Sequence, residues 1–540
     1  MRINRLYIIL LAVTTLLGSA CQKHFLDNAP LTQYSDANVW QDSALICRFV
    51  ANIYSNIISN YDFIAYSGML ASITDESKLN HTSSVYAANL INTGQYTAAS
   101  NVFDSYWEGT GGNPTGVYIN VRNCNLFFAH LNTMPLSPAT RARLAGEVHF
   151  LRAYNYQFLY SLFGRFPIID TVLSIGDQAL NTQRASDDSC IAYIIADYNA
   201  AATALPVKYF TPTDIGRATK GAALAMECRL LLNQKRYTDA AAAARAVMDL
   251  NIYQLFPDYA AQFYPENDDN SETIFNKEFG SDLSGQTNMV DLSENTSFFT
   301  GYFGLQDCPT QNIVDQYEMT DGLPYDQSPL YDPARPYANR DPRFAASVLY
   351  DSSLWMGYTM DMTSGSFFNP TADATPTGYM LRKFLNPNNI FYGNNTNYQN
   401  CVIMRLAEIY LDYAECQLKQ GNAEEARTYV NMLRQRPGVN MPPIPSGQMT
   451  WDAYVRERTV ELAFEGERFA DIRRWGLGQQ LIGAAIYGMK TVNSGNKHQY
   501  QRVLVQQRYF DPKMYLFPIP IDELTKYPAG QVLQQNPGWN

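Results

Sequence analysis

In the stretch RERTVELAFEGERFADIRRW at 456–475, Glu457, Glu461 and Glu465 stand at steps of four among Arg456, Arg458, Arg468, Arg473 and Arg474. Residues four apart share a helical face, so the spacing predicts three acids stacked along one helix. A glycoside hydrolase needs two carboxyl groups about 5 to 10 Å apart across a sugar, one of them protonated. Carboxylates this well supplied with guanidinium groups stay ionised, which removes the general acid. The segment therefore predicts structural ion pairs and no catalysis, and Arg473, Arg474 and Trp475 read as pairing and packing.

Other reactive constellations are missing. The sequence holds no GxSxG, no Walker loop and no HExxH, and its five histidines, His24, His81, His130, His149 and His498, include no pair at metal-ligand spacing on a helix. Neither a metal nor a cofactor is expected. His149 lies in a packed helical run and reads as a satisfied core residue, whereas His81 lies in a loop and is a candidate ligand contact. GTGGNPTG at 109–116 lacks the strand-to-helix setting and the lysine of a phosphate loop, and reads as a flexible turn. The eight cysteines, Cys21, Cys47, Cys124, Cys190, Cys228, Cys308, Cys401 and Cys416, are widely and irregularly spaced without a CxxC pair, so no zinc site or disulfide framework is expected.

The elements that must position any site are mainly helical. Residues Ala139–Phe163 repeat apolar and aromatic side chains at helical spacing until Gly164 and Pro167 end the run. A second helix is expected over Ser186–Leu205, with Ser186 as N-cap and Pro206 as stop. Gly221–Leu250 and Ala407–Arg436 each read as helix, tight polar turn and helix. Aligned on Ala240 and Ala426, they set small Cys228 and Ala414 one turn after large Leu224 and Tyr410, the large-then-small pattern of a tetratricopeptide unit. The two units are far apart in the chain, so the fold must bring them together around an inserted region. That insertion, about 251–400, is rich in Asn, Asp, Gly, Pro, Ser and Tyr and reads as turns and loops, where binding groups tend to lie. A second loop-rich stretch, Asp75–Gly116, contains His81, Tyr86 and Tyr96.

Composition narrows the ligand. A net charge of −11 and a pI near 5.1 supply no positive field for phosphate backbones, so no nucleic-acid partner is expected. Only 17% of residues are charged, while 38 tyrosines and 27 phenylalanines offer flat faces with hydrogen-bonding edges, a composition suited to a neutral, hydroxyl-rich ligand. At the N-terminus, Arg2 and Arg5 precede an apolar run from Tyr7 to Leu17, and Gly18-Ser19-Ala20 precede Cys21. This reads as a signal peptide over 1–20 with a lipobox-like end, in which Cys21 becomes the acylated first residue and anchors the protein to a membrane. Gly18 stands where leucine is commonest in such boxes, and ordinary cleavage leaving a free Cys21 is the alternative.

Taken in order, CQKHFLD after the signal, GEVHFLRAYNYQFLYSLFGRFP, the two helix pairs, PTQNIVDQYEMTDG, NRDPRF, RERTVELAFEGERFADIRRWG and the ending YLFPIPIDELTKYPAGQVLQQNPGWN make the chain similar to the SusD/RagB family over essentially its full length. The resemblance implies a mainly α, single domain over 21–540. Tetratricopeptide-like helix pairs would form a right-handed superhelical scaffold, about 36–250 and 401–480, with the loop-rich insertion between them and a C-terminal segment at 481–540. It implies a non-enzymatic lipoprotein of the outer membrane that captures a glycan for a SusC-like TonB-dependent transporter. Peptide-binding members of the family keep a peptide ligand open, and a hydrolase is the remaining alternative. Ligand contacts are expected from the Asp75 loop, the stretch before PTQNIV and the stretch after NRDPRF: Asp75 as an acceptor for sugar hydroxyls, His81, and Tyr302, Phe303, Trp355 and Tyr358 as an open stacking platform.

Overall fold

The computed structural model describes residues 39–63, 69–81, 86–100, 106–107, 116–174, 183–280, 290, 294, 307–366, 368–369, 375–388, 397–495, 497–526 and 533–539. Ten helices of eight or more residues form the scaffold among them: α1 (Ser43–Ser55), α2 (Val117–His130), α3 (Pro138–Phe163), α4 (Asp187–Ala204), α5 (Lys220–Asn233), α6 (Tyr237–Met248), α7 (Leu406–Lys419), α8 (Ala423–Arg434), α9 (Trp451–Glu461) and α10 (Arg468–Trp475).

Their ends follow local chemistry. Ser137, Ser186, Thr219 and Thr450 each accept a backbone N–H with the side-chain oxygen at the start of α3, α4, α5 and α9. Gly164, at φ +70°, ends α3 in a conformation that a side chain would strain. From α2 to α8 each helix packs on the next in chain order. Close approach within the α5–α6 pair rests on small residues, for the Cys228 thiol lies 3.3 Å from the Ala240 carbonyl oxygen. Ala414 and Ala426 are equally buried in the α7–α8 pair. The two tetratricopeptide-like units predicted from the sequence meet where α6 packs on α7. Arg245 of α6 seals that seam by donating to the Tyr413 and Tyr429 hydroxyls.

The insertion is more ordered than its turn-rich sequence predicts. At its base, β2 (Thr273–Lys277) pairs antiparallel with β8 (Cys401–Arg405), which clasps the two ends of the insertion together. Farther out, β1 (Ser77–Leu79) pairs with β3 (Asp307–Pro309), β4 (Val348–Leu349) with β7 (Met380–Leu381), and β5 (Leu354–Trp355) with β6 (Tyr358–Thr359). Strands this short, several buried on both faces, leave no alternation in the sequence to detect. The C-terminal segment contains a long hairpin, β9 (Ala485–Ser494) with β10 (Lys497–Gln507), which the sequence reading left undescribed.

The insertion is joined to the scaffold by a shared core and a buried ionic network. Ile313, Val314, Tyr317, Phe344, Val348 and Leu381 pack against Val460, Ala463 and Phe464 at the end of α9. In the network, the buried Glu461 carboxylate accepts from Arg343 at 2.9 Å and from Arg405 and Arg436 at 2.8 Å each. Glu457 takes Arg343 at 2.6 Å and Arg434 at 3.0 Å. Glu465 takes Arg405 at 2.6 Å and Lys383 at 2.7 Å, and Glu272 takes Arg405 at 2.7 Å. The three acids are ion-paired, but with cations from elsewhere in the chain and not along one helical face: the arginines of their own segment turn to other acids, Arg458 to Asp412 and Asp471, Arg468 to Asp75 and Arg474 to Glu415. α9 ends at Glu461, and Phe464 turns the chain at φ +66°. Glu465 reaches the cluster from that turn.

Burial alone would raise the Glu461 carboxyl, but Arg436, Arg405 and Arg343 outweigh it and hold the group far below the usual carboxylate range. Its unfolded value is about 4.3. With the folded value lower, the stabilisation is complete above about pH 4.3 and is lost as pH falls below it. Glu461→Gln should cost about 3 to 5 kcal/mol at neutral pH by leaving buried guanidinium groups uncompensated. Denaturant titrations across pH 3 to 7 check both points, and the variant's stability should decline less steeply below about pH 4.3 than the wild type's.

Candidate ligand-binding face

Strand pairing brings the Asp75 loop, the start of the PTQNIV segment and the stretch after NRDPRF to one corner of the molecule. β1 follows Asp75, and its partner β3 ends on Pro309, the first residue of the PTQNIV segment. β3 lies against β7, whose partner β4 leads into the stretch after NRDPRF. Beneath this corner Cys308, Leu349, Trp355, Met360, Met362, Phe368, Met380 and Leu385 form an apolar cluster.

The individual residues meet different fates. Tyr358 is 47% exposed and leans edge-on against Phe368, centroids 6.1 Å apart. Trp355 does not belong to an open platform: it is 1% exposed, part of the apolar cluster, with the Arg382 guanidinium over its ring at 5.6 Å. β5 and β6 are joined by Met356 and Gly357, both at positive φ, a tight two-residue turn that pairs Trp355 with Tyr358 on one face of the hairpin. On that shared face Trp355 lies within the apolar cluster and Tyr358 at its rim.

Asp75 is likewise not free for a sugar. Only 3% exposed, it binds Arg468 of α10 through both oxygens, at 2.9 and 2.8 Å. It fixes the loop to the scaffold, and the signal that could have revealed this, Arg468, lies nearly four hundred residues away. His81 is half-buried and stacks on Tyr86, centroids 5.0 Å apart and planes 7° from parallel. Burial, with Lys78 nearby, lowers its pKa and favours the neutral ring. The flat His81–Tyr86 pair therefore borders the corner as an uncharged aromatic surface. Tyr302, Phe303 and Cys21 lie outside the described residues.

Deeper in the corner two acids meet. Asp307 accepts from the Ser72 and Ser77 hydroxyls and from the Met69 amide at 2.8 Å, and its own amide donates to Glu294 at 2.8 Å. Burial raises both carboxyls, and the neighbouring Asp307 raises Glu294 further. These groups hold β1, β3 and the Met69–Ile73 turn together and are enclosed.

A separate cavity of about 440 Å³ opens between α3, α5 and α10, lined among others by Phe158, Tyr160, Arg229, Glu467, Phe469 and Arg473. None of the described residues expected to touch ligand lines it. Arg229 there is tied to Glu408 at 2.7 Å and to Glu467 at 3.2 Å.

Because Asp75 is an anchor, Asp75→Asn should lower stability by about 3 to 5 kcal/mol through the stranded Arg468. Thermal melting reads this loss, and ligand affinity of the folded fraction should stay unchanged.

Comparison with known proteins agrees with this architecture. A family model described as the SusD family matches residues 271–539, and another, described as starch-binding associating with outer membrane, matches residues 24–232. A SusD-like protein of Bacteroides ovatus is 23% identical, covering 87% of this chain and 82% of its own length. Among solved structures, a SusD-like protein from Bacteroides fragilis is 30% identical, covers 94% of this chain and 100% of its own, and superposes with a TM-score of 0.81. A SusD-like carbohydrate binding protein from the same organism is 25% identical over 90% of this chain and 98% of its own, with a TM-score of 0.76. With sequence matches in both halves and a 30% identical relative superposing along nearly the whole chain, the protein belongs to the SusD/RagB family.

Proposed function

We propose that the protein is a lipid-anchored receptor on the outer membrane that captures an oligo- or polysaccharide and passes it to a SusC-like TonB-dependent transporter. The observation that carries this reading is the whole-length likeness to a Bacteroides fragilis protein described as carbohydrate binding. The physical chemistry of the corner supports it. Tyr358 and the parallel His81–Tyr86 pair offer uncharged aromatic faces that stack on the C–H-rich face of a sugar ring. Such a surface, open along its length, accepts a polymer without enclosing it. The carboxylates of the glutamate-rich segment are committed to arginines and lysine, which supports binding without hydrolysis. Anchoring rests on Cys21 behind its apolar leader.

Calorimetric titration with a panel of neutral glycans tests the ligand class, and a chain that binds peptides while ignoring every glycan would overturn it. With the ligand found, Tyr358→Ala should weaken binding by roughly two- to tenfold, the worth of one stacking contact, with little change in melting temperature. Trp355→Ala should behave oppositely, costing about 3 to 5 kcal/mol of stability as buried aromatics do. Cell fractionation of Cys21→Ala reads the anchor: the variant should leave the membrane fraction, and product analysis after incubation with the bound glycan should find it uncut.

A further inference from the structure

We propose that Asp351, Asp361 and His498 form a binding site for one first-row divalent cation of the Zn²⁺ type, which pins the β9–β10 hairpin to the loops beneath the ligand face. The three residues come from separate segments: the turn after β4, the turn after β6, and strand β10. One ligand atom from each lies within 4.8 Å of the others. Donors bound to a single zinc at about 2.1 Å sit no more than about 4.2 Å apart, so small side-chain rotations complete the site.

Each donor is already oriented. Asp351 is buried, its Oδ1 held by the Met362 amide at 3.0 Å and its Oδ2 by the Tyr500 hydroxyl at 2.9 Å. Asp361 Oδ1 is held by the Thr363 amide at 2.9 Å and hydroxyl at 2.6 Å, and among the described residues no donor is recorded on its Oδ2. His498 Nδ1 stands 2.7 Å from Asp351 Oδ2, and its side chain is 27% exposed, so a cation can enter from solvent. Outer hydrogen bonds of this kind fix metal ligands.

A second observation points the same way. Thr491 Oγ1 is buried, in a residue 4% exposed, and has no hydrogen-bond partner among the described residues. Thr491 is the β9 partner of Tyr500, and strand alternation sets Thr491, Tyr500 and His498 on one face of the hairpin. Thr491 is also bridged to Thr363, two residues after Asp361. The orphaned hydroxyl therefore faces the cluster, where it can bond a metal-held water. An imidazole with two carboxylates favours zinc-like ions over calcium or magnesium, which take oxygen alone. This assignment is independent of which nutrient the protein captures.

The test uses the tag-free mature chain, stripped with chelator and titrated calorimetrically with Zn²⁺, Mn²⁺ and Ca²⁺. One equivalent of Zn²⁺ should bind more tightly than Ca²⁺ and raise the melting temperature. His498→Gln, which keeps a donor toward Asp351, and Asp361→Asn should each weaken binding at least tenfold. X-ray absorption of the zinc-loaded chain should report oxygen and nitrogen donors with a single imidazole. No saturable binding, a preference for Ca²⁺, wild-type affinity in either variant, or a spectrum with several imidazoles would each overturn the assignment.

Discussion

One buried carboxylate ties the insertion, its base and the helical scaffold together. Glu461 ends α9 in the protein interior and is met by Arg343 from the insertion, Arg405 from its base and Arg436 from just beyond α8. Three cations on one anion would repel one another, and they persist because Glu457, Glu465, Glu272 and Asp341 share them. An ion buried alone costs several kcal/mol in desolvation, so the cluster is worth having only when complete. That all-or-none character fixes where the insertion sits, and with it the corner where ligand loops converge.

At the proposed ligand face, rigidity and exposure are divided among neighbouring residues. Trp355 and Tyr358 are three positions apart, yet one fills the apolar cluster and the other stands at its rim. Asp75 and His81 divide similarly, one locked to Arg468 and the other stacked beside the opening. A contact surface supported this closely keeps its shape before ligand arrives, which spares the ordering entropy that a loose loop would lose on binding.

Much of the scaffold was legible in the sequence because its determinants are local. Ser186 and Pro206 bound α4 as predicted, Gly164 closes α3, and Ala240, Ala426 and Cys228 mark the close-packed helix pairs. That Glu457, Glu461 and Glu465 are ion-paired was expected, but their partners Arg343, Arg405, Arg434, Arg436 and Lys383 lie outside the segment, and neither those partners nor the break of α9 before Glu465 was legible locally. The ligand face was legible only as a set of loops. Asp75 looked like an acceptor because its partner is remote, and Trp355 looked exposed because a two-residue strand has no period. The β9–β10 hairpin carried a signal that went unread: alternating side chains on both sides of Ser494-Gly495.

The β2–β8 clasp has a consequence for how the chain folds. Helix pairs such as α5–α6 are contiguous in sequence and can form as soon as they exist. The clasp joins Thr273 to Arg405, and Arg343 and Glu272 then wait for partners in α9 or beyond α8. Closing so long a loop is slow more than it is costly, since each doubling of loop length adds only about 0.6 kcal/mol. The contiguous helix pairs are therefore expected to form before the clasp closes, and the corner it supports to follow them.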